Sequence, residues 1–478
     1  MKVGKVNNEY DAVVVGGGPN GLSAAIRIAQ AGHSVAVIEA RDVVGGAAAT
    51  AELTLPGYYQ DTFSAIHPLG VGSPFFQTLP LAEYGLEWIH PPTAIAHPLE
   101  DRPAALADRS LTATSTRLGV DAEAYFKLLE PFVSRWSELA VDALAPLHFP
   151  KHPFLLARLG FKGLRSADSL ARSSFSGEQA RALFAGAAAH CALPLTNAAT
   201  AAYGLVLMAA AHAVGWPMPR RGSVAIAEAL SEYFRSLGGE IVTGMRVRDL
   251  RDLPRSQAVM LNLTPRQILE LEGTELPDSY RSNLEDFRYG PGVFKVDWAL
   301  DGPIPWSDPT CSDAGTLHLA GNMEEVAASE HLPWNGGVPE KPFVLASQPS
   351  LFDATRAPDG KHTAWGYCHV PNGSDADMTA KIEAQVERFA PGFSKLILAR
   401  HSMGPAKLES LDANLVGGDI NGGAPNLGQL FFRPMAKRVP YATPTKGLYI
   451  CSASTPPGGG VHGMCGFHAA EVALESIR

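Results

Sequence analysis

The stretch Tyr10 to Ala48 reads YDAVVVGGGPNGLSAAIRIAQAGHSVAVIEARDVVGGAA. Tyr10 to Val15 is a β-branched run that enters Gly16-Gly17-Gly18-Pro19-Asn20-Gly21. Leu22, Ala25, Ile26 and Ala29 then recur at helical spacing, Gly32-His33 ends the helix, and Ser34 to Ile38 forms a second strand closed by Glu39. Strand, glycine turn, helix, strand and acid follow one another in thirty residues, the order of a βαβ dinucleotide-binding unit.

Each part has a physical job. Gly16 permits the tight turn, Gly18 lets backbone approach a pyrophosphate, and Gly21 lets the helix pack on the strand. The helix entrance through Pro19 and Asn20 offers free N–H groups and the positive end of the helix dipole. Glu39, 18 residues past Gly21, stands where a carboxylate accepts a ribose hydroxyl proton. Ala40 and Arg41 continue along the cofactor, and Gly45-Gly46-Ala47 makes a second close backbone approach. A long, bent FAD requires that second approach, and NAD alone does not, so FAD is the expected cofactor.

A second glycine turn lies near the far end. Gly447 to Ser452 is an apolar strand leading through Ser454 into Gly458-Gly459-Gly460-Val461-His462-Gly463, with a helix from about Phe467 onward. Only fifteen residues follow Gly463, too few for a second strand with its own ribose acid, so an independent nicotinamide site is excluded. The expected role is a helix entrance facing the ribityl chain and the pyrimidine ring of the flavin. Ser454, Gly460, Val461 and His462 are the expected contacts, since the positive end of a helix stabilises the charge gained on reduction.

Together, DAVVVGGGPNGLSAA, VIEARDVVGGAA and GLYICSASTPPGGGVHGMCGFHAAEVAL resemble the phytoene-desaturase-like branch of the flavin amine-oxidase-type oxidoreductases. Within it the nearest likeness is to the pyridine-nucleotide-disulfide oxidoreductase domain protein 2-like group. GWPMPRRGS (215–223) and the run from Asn414 to Asp419 continuing to Phe432-Arg433-Pro434 agree with it. The resemblance implies an α/β fold: a discontinuous Rossmann-type FAD-binding domain with an α+β substrate domain and a helical cap. It implies adenine contact at Val247, and it places Asp61 to His67, including Ser64, beside the flavin ring. Arg221 departs from the glycine usual in carotenoid desaturases, so a carotenoid substrate is not carried over.

The chain divides accordingly. Residues 1–100, 218–265 and 431–478 are assigned to the FAD domain, 101–217 to a helical cap rich in Ala and Leu, and 266–430 to a β-sheet substrate domain. Strands are expected at Glu240 to Thr243, Met245 to Arg248, Ala258 to Leu263, Gly292 to Leu300, Thr316 to Ala320, Phe343 to Ser347 and His362 to His369, with Asp359-Gly360 as a hairpin turn.

Composition bounds the function. A 478-residue chain with 46% hydrophobic and 18% charged residues is a globular enzyme in profile, and its net charge of −9 disfavours nucleic acid. The five cysteines, Cys191, Cys311, Cys368, Cys451 and Cys465, form no CxxC pair, which excludes dithiol chemistry and fits a reducing, cytoplasmic setting. No His, Cys or carboxylate cluster has metal-ligand spacing. The longest apolar run, Ala201 to Val214, is too short to span a bilayer and reads as a buried helix around a core histidine, His212.

Hydride transfer between flavin N5 and an apolar, isoprenoid- or acyl-like substrate is the leading reading, as desaturation, saturation or isomerisation. Oxidation of an amine and a non-catalytic, flavin-stabilised interaction role stay open. His67 either moves a proton or packs, and His462 either bonds the flavin edge or holds its loop. Arg433 anchors substrate or pairs with structure. The electron acceptor is oxygen, a quinone or a partner protein. The mixed basic and apolar stretch His148 to Lys162 is either a membrane-resting surface or a cap helix with a solvated basic face, and a homo-oligomer stays open.

Overall fold

The computed structural model describes residues 7–477. Twelve strands carry the architecture. In chain order they are β1 (Ala12–Val15), β2 (Val35–Ile38), β3 (Thr93–His97), β4 (Ala105–Asp108), β5 (Glu240–Val242), β6 (Ala258–Leu261), β7 (Gly292–Leu300), β8 (Ala314–Leu319), β9 (Val344–Ser347), β10 (His362–Val370), β11 (Ile397–Met403) and β12 (Leu448–Ile450). Five of them form a parallel sheet in the order β12-β6-β1-β2-β5. Its central strands are continuous apolar runs because both faces are covered, and Ala12, Val13, Val14, Ala36 and Val37 are fully buried.

Helix α1 (Pro19–Gln30) leaves the first glycine turn, with Pro19 in its first turn where a missing N–H costs nothing. The sheet is therefore assembled from the beginning, middle and end of the sequence.

The other seven strands form a mixed sheet in the order β11-β7-β10-β9-β8-β3-β4. All nine residues of β7 are buried, with Trp298 fully enclosed in a cluster containing Phe389 and Phe393. Truncating such a side chain costs about 3–5 kcal/mol.

Between β4 and β5 lies a run of helices. They include α2 (Ala122–Val133), α3 (Pro153–Gly163), α4 (Glu178–Ala189), α5 (Thr200–Ala213) and α6 (Val224–Ser236). Helix α5 occupies the apolar run seen in the sequence. His212 donates from Nδ1 to the Asp108 carbonyl and accepts the Tyr125 hydroxyl at Nε2, 2.8 Å each, so it is a satisfied core histidine.

Several boundaries differ from expectation. The border drawn at residue 100 falls between β3 and β4, which pair in the seven-stranded sheet, so residues 93–108 extend that sheet. Met245 to Arg248 is not a strand. That segment turns over the end of β2, with the Met245 N–H donating to the Glu39 carbonyl at 2.9 Å. Asp359-Gly360 turns the chain, but β9 and β10 are joined by residues 348–361, so it is not a two-residue hairpin. Arg221 holds a positive φ of 68°, and its N–H donates to buried Asp353 at 2.8 Å, a conformation that glycine adopts more cheaply.

A buried ion pair joins the connection between β9 and β10 to the hairpin strand Tyr59–Asp61. Arg356 reaches Asp61 at 2.7 Å and the Tyr59 carbonyl at 3.0 Å. Asp61 also accepts the Ser223 N–H at 2.7 Å and the Thr50 hydroxyl at 2.8 Å.

Candidate active site

Strand β1 delivers its C-terminal end into the first glycine turn, and β12 delivers the second. Helix α7 (Met464–Leu474) follows that second turn and packs on α1. Gly18, Pro19 and Asn20 therefore face the same cavity as Gly459, Gly460 and Val461. The two turns, separated by more than four hundred residues of sequence, meet at one site.

That site is a groove in two continuous segments. The first, about 470 Å³, is lined by Gly16, Glu39, Ala40, Arg41 and Val247. The second, about 350 Å³, is lined by Gly18, Pro19, Asn20, Ala47, Ser64 and His67 on one side and the Ser454 and Gly460 loop on the other. Gly46, Asn262, Asp412 and Asn414 border both segments. The groove runs along the carboxyl ends of the parallel strands, where open α/β sheets bind ligands.

Local hydrogen bonds fix the first segment. Glu39 accepts the Gly17 N–H at 2.7 Å and the Arg41 N–H at 2.9 Å, and Arg41 donates to the Gly46 carbonyl at 2.8 Å. Gly45 and Gly21 line neither segment. The Gly45 N–H donates to the Gly17 carbonyl at 2.9 Å, and a Cβ on Gly21 would meet the Gly16 carbonyl at 2.0 Å. Both are packing positions beneath the cradle.

His67 borders the second segment. Ser223 gives its hydroxyl proton to the Ser64 carbonyl at 2.5 Å, so its oxygen accepts from His67 Nε2 at 2.8 Å. Burial pushes the imidazole down to about 4, with Asp61 pulling weakly upward. The ring is neutral at neutral pH and held in one tautomer.

His462 departs from the expected position. Its Nδ1 accepts the Met464 N–H at 3.0 Å, and its ring faces an adjoining cavity rather than the groove. The glycine turn exposes backbone on its groove side and tucks this side chain behind. Arg433 is buried and donates to the carbonyls of Gln429 and Ala453 at 2.9 Å each, so it clamps loops.

Several groove residues escaped the sequence reading. Asn262 directly follows β6 and donates to the Gly16 carbonyl at 3.2 Å. Its position just past a parallel strand was the signal available. Asn414 accepts the Thr264 N–H at 2.8 Å and donates to the Asn262 carbonyl at 3.1 Å. Asp412 lies half-buried beside them, and desolvation raises its carboxyl despite the Asn414 N–H and the Arg41 charge.

The far wall of the second segment includes His190, Trp216, Lys295, Trp365 and Tyr367. Trp365 and Tyr367 stack at 6.0 Å and 15°, and Lys295 is ion-paired to Asp297 with both side chains buried. All five cysteines are buried free thiols.

Sheet order, glycine turns and groove define a Rossmann-type oxidoreductase. Residues 14–79 match the family model of an NAD(P)-binding Rossmann-like domain. The chain is similar to the pyridine nucleotide-disulfide oxidoreductase domain-containing protein 2 of Mus musculus, at 29% identity over 99% of this chain and 95% of that protein. The Rattus norvegicus protein of the same name is 28% identical over the same shares. Among solved structures, an oxidoreductase from Methanosarcina mazei superposes with a TM-score of 0.64 at 17% identity, covering 97% of this chain and 99% of that one. A redesigned putrescine oxidase superposes with a TM-score of 0.63 at 17% identity, covering 98% and 99%. The chain is thus similar along nearly its whole length to the pyridine nucleotide-disulfide oxidoreductase domain-containing protein 2 relatives, and it shares its fold with a putrescine oxidase.

Proposed function

We propose that the groove holds FAD in an extended pose and that the chain moves a hydride between an apolar substrate and the flavin. The observation carrying this reading is the continuity of the two groove segments past Gly46 and Asn262. One segment has the acid and backbone suited to an adenosine, and the other has aromatic walls suited to a ring.

The residues present fit the cofactor. Glu39 keeps lone pairs free for ribose hydroxyls beyond the two N–H groups it accepts. A Cβ on Gly18 would press within 3.1 Å of the Asn262 Nδ2, so bare backbone at this turn leaves room for a pyrophosphate. Asn20 Oδ1 is buried without a partner beside the same turn.

When bound, the flavin supplies the hydride-accepting atom, and the chain's own residues position and dry the substrate. Trp216, Trp365 and Tyr367 wall the chamber. Lys295, neutralised by Asp297, adds one buried donor. His67, neutral and locked to Ser223, shapes the floor beside Ser64 without carrying charge. Because the chamber walls are mainly apolar, an acyl or isoprenoid group is held at about 25 cal/mol per Å² buried.

Oxidation of a neutral amine is the second reading, favoured by the stacked Trp365–Tyr367 pair and by the fold shared with a putrescine oxidase. The test is anaerobic mixing of the purified protein with long-chain acyl or isoprenoid compounds and with amines while the flavin absorbance is followed. Bleaching by the apolar compounds supports the first reading and bleaching by amines the second. A colourless protein that takes up no added FAD overturns both.

A further inference from the structure

We propose that the outward face of α3 rests on an anionic lipid leaflet, and that the cavity behind it admits the tail of a lipid-soluble substrate to the redox chamber. The second half rests on the redox reading above; the first half stands without it.

The cavity, about 310 Å³, lies beneath α3 and α5 and is lined by Leu156, Leu159, Gly163, Val206, Leu430 and Phe431. Leu69, Tyr203, Leu207, Asn421 and Gly459 face both this cavity and the chamber, so the two volumes adjoin. At the other end Leu147 and Leu164 line the cavity while staying 58% and 49% exposed, which sets an outer mouth at the surface. The His462 ring faces the same space. Mainly apolar walls, with Tyr203 and Asn421 at the inner end, suit a long hydrocarbon bearing a single hydroxyl or carbonyl.

The surface around that mouth is unusual for a protein in water. Phe149, Phe154 and Phe161 are 90%, 88% and 82% exposed. Phe154, Arg158 and Phe161 recur on the outer face of α3 while Leu155 and Leu159 point inward. Large aromatics standing out together mark an interaction surface.

Charge identifies the partner. From Ala143 to Ala167 the sequence carries Lys151, Arg158, Lys162 and Arg165 and no acidic residue, within a chain of net charge −9. The flanking Asp142 is buried and held by the N–H groups of Lys151 and His152. Cations interleaved with protruding aromatics on a short helix match the interfacial zone of an anionic bilayer.

Flotation of the purified protein with phosphatidylcholine vesicles, with and without phosphatidylglycerol, tests the docking face. Binding to the anionic vesicles is expected, weakened by roughly tenfold in Phe154→Ser/Phe161→Ser and in Lys151→Glu/Arg158→Glu/Lys162→Glu. These side chains are solvent-facing, and unchanged thermal melting keeps the comparison clean. No flotation of the wild type, or flotation indifferent to the serine pair, overturns the docking. So does a dimer that the serine pair dissociates, because the face then meets a second copy.

For the cavity, Gly160 lines the tube and a Cβ there meets nothing within 4 Å, so Gly160→Phe directs a bulky ring into it. Saturable uptake of the fluorescent fatty acid cis-parinaric acid is expected in the wild type and lost in Gly160→Phe with flotation retained. Uptake unaffected by the plug overturns the channel. Protein that floats yet takes up no FAD separates failure of the cofactor reading from failure of the docking.

Discussion

A side-chain carbon on Gly466 would lie 1.8 Å from the carbonyl oxygen of Asn20. This contact brings α1 and α7 together at their N-terminal ends, and with them the two glycine turns that line the groove. Gly466→Ala therefore forces the helices apart beside the groove proposed to hold the cofactor. A loss of about 1–3 kcal/mol from overpacking and poor FAD retention are expected, read by thermal unfolding and by the flavin absorbance of the purified variant.

Glu39 can be tested by conservative exchange. Glu39→Gln keeps a carbonyl oxygen for the Gly17 N–H but loses the charge that strengthens bonds to ribose. FAD affinity is expected to fall by about 1.5–3 kcal/mol, roughly 10- to 150-fold. Titration calorimetry on apoprotein measures it; an unchanged affinity would place the adenosine elsewhere.

The Asp61–Arg356 pair governs acid stability. Burial alone would raise the Asp61 carboxyl, but the Arg356 charge, the Ser223 N–H and the Thr50 hydroxyl outweigh it and hold the group low. A folded-state value below the unfolded one stabilises the protein above the ordinary carboxylate range, and that contribution is lost as pH falls through the folded value. Asp61→Asn strands a buried guanidinium and should cost about 3–5 kcal/mol at neutral pH. Urea unfolding across acidic pH should show a flatter acid limb for the variant.

His67 carries the opposite charge logic. Its folded value near 4 lies below the ordinary 6.5, so its contribution is complete above the ordinary value and fades as pH drops from there toward 4. NMR titration should show the His67 ring unprotonated down to about pH 5. His67→Gln should leave turnover without a shifted pH profile, because an imidazole that stays neutral down to about pH 5 does not titrate near neutral pH.

Much of the cofactor unit was legible because it is local. Glycines 16, 18 and 21, α1, β2 and Glu39 lie within thirty residues, and their spacing alone fixes their geometry. β7 was equally plain as a nine-residue apolar run interrupted only by Lys295 and Asp297. Strands β3, β4 and β11 were not, since they are short or alternate between half-buried and exposed positions along a sheet edge. Asp412 and Asn414 reach the groove from a loop some 150 residues past Asn262, and nothing in their neighbourhood announces it. The tilt of His462 away from the groove depends on how Met464 begins α7, a tertiary detail that the motif cannot encode.

The parallel sheet also orders events during synthesis. Its edge strand β12 and the helix bearing Gly466 are the last described elements to be made, while β1 and α1 are among the first. The first glycine turn therefore lacks its partner turn until residues 448–474 have been made. Nascent chains stalled before residue 448 are therefore expected to retain no FAD.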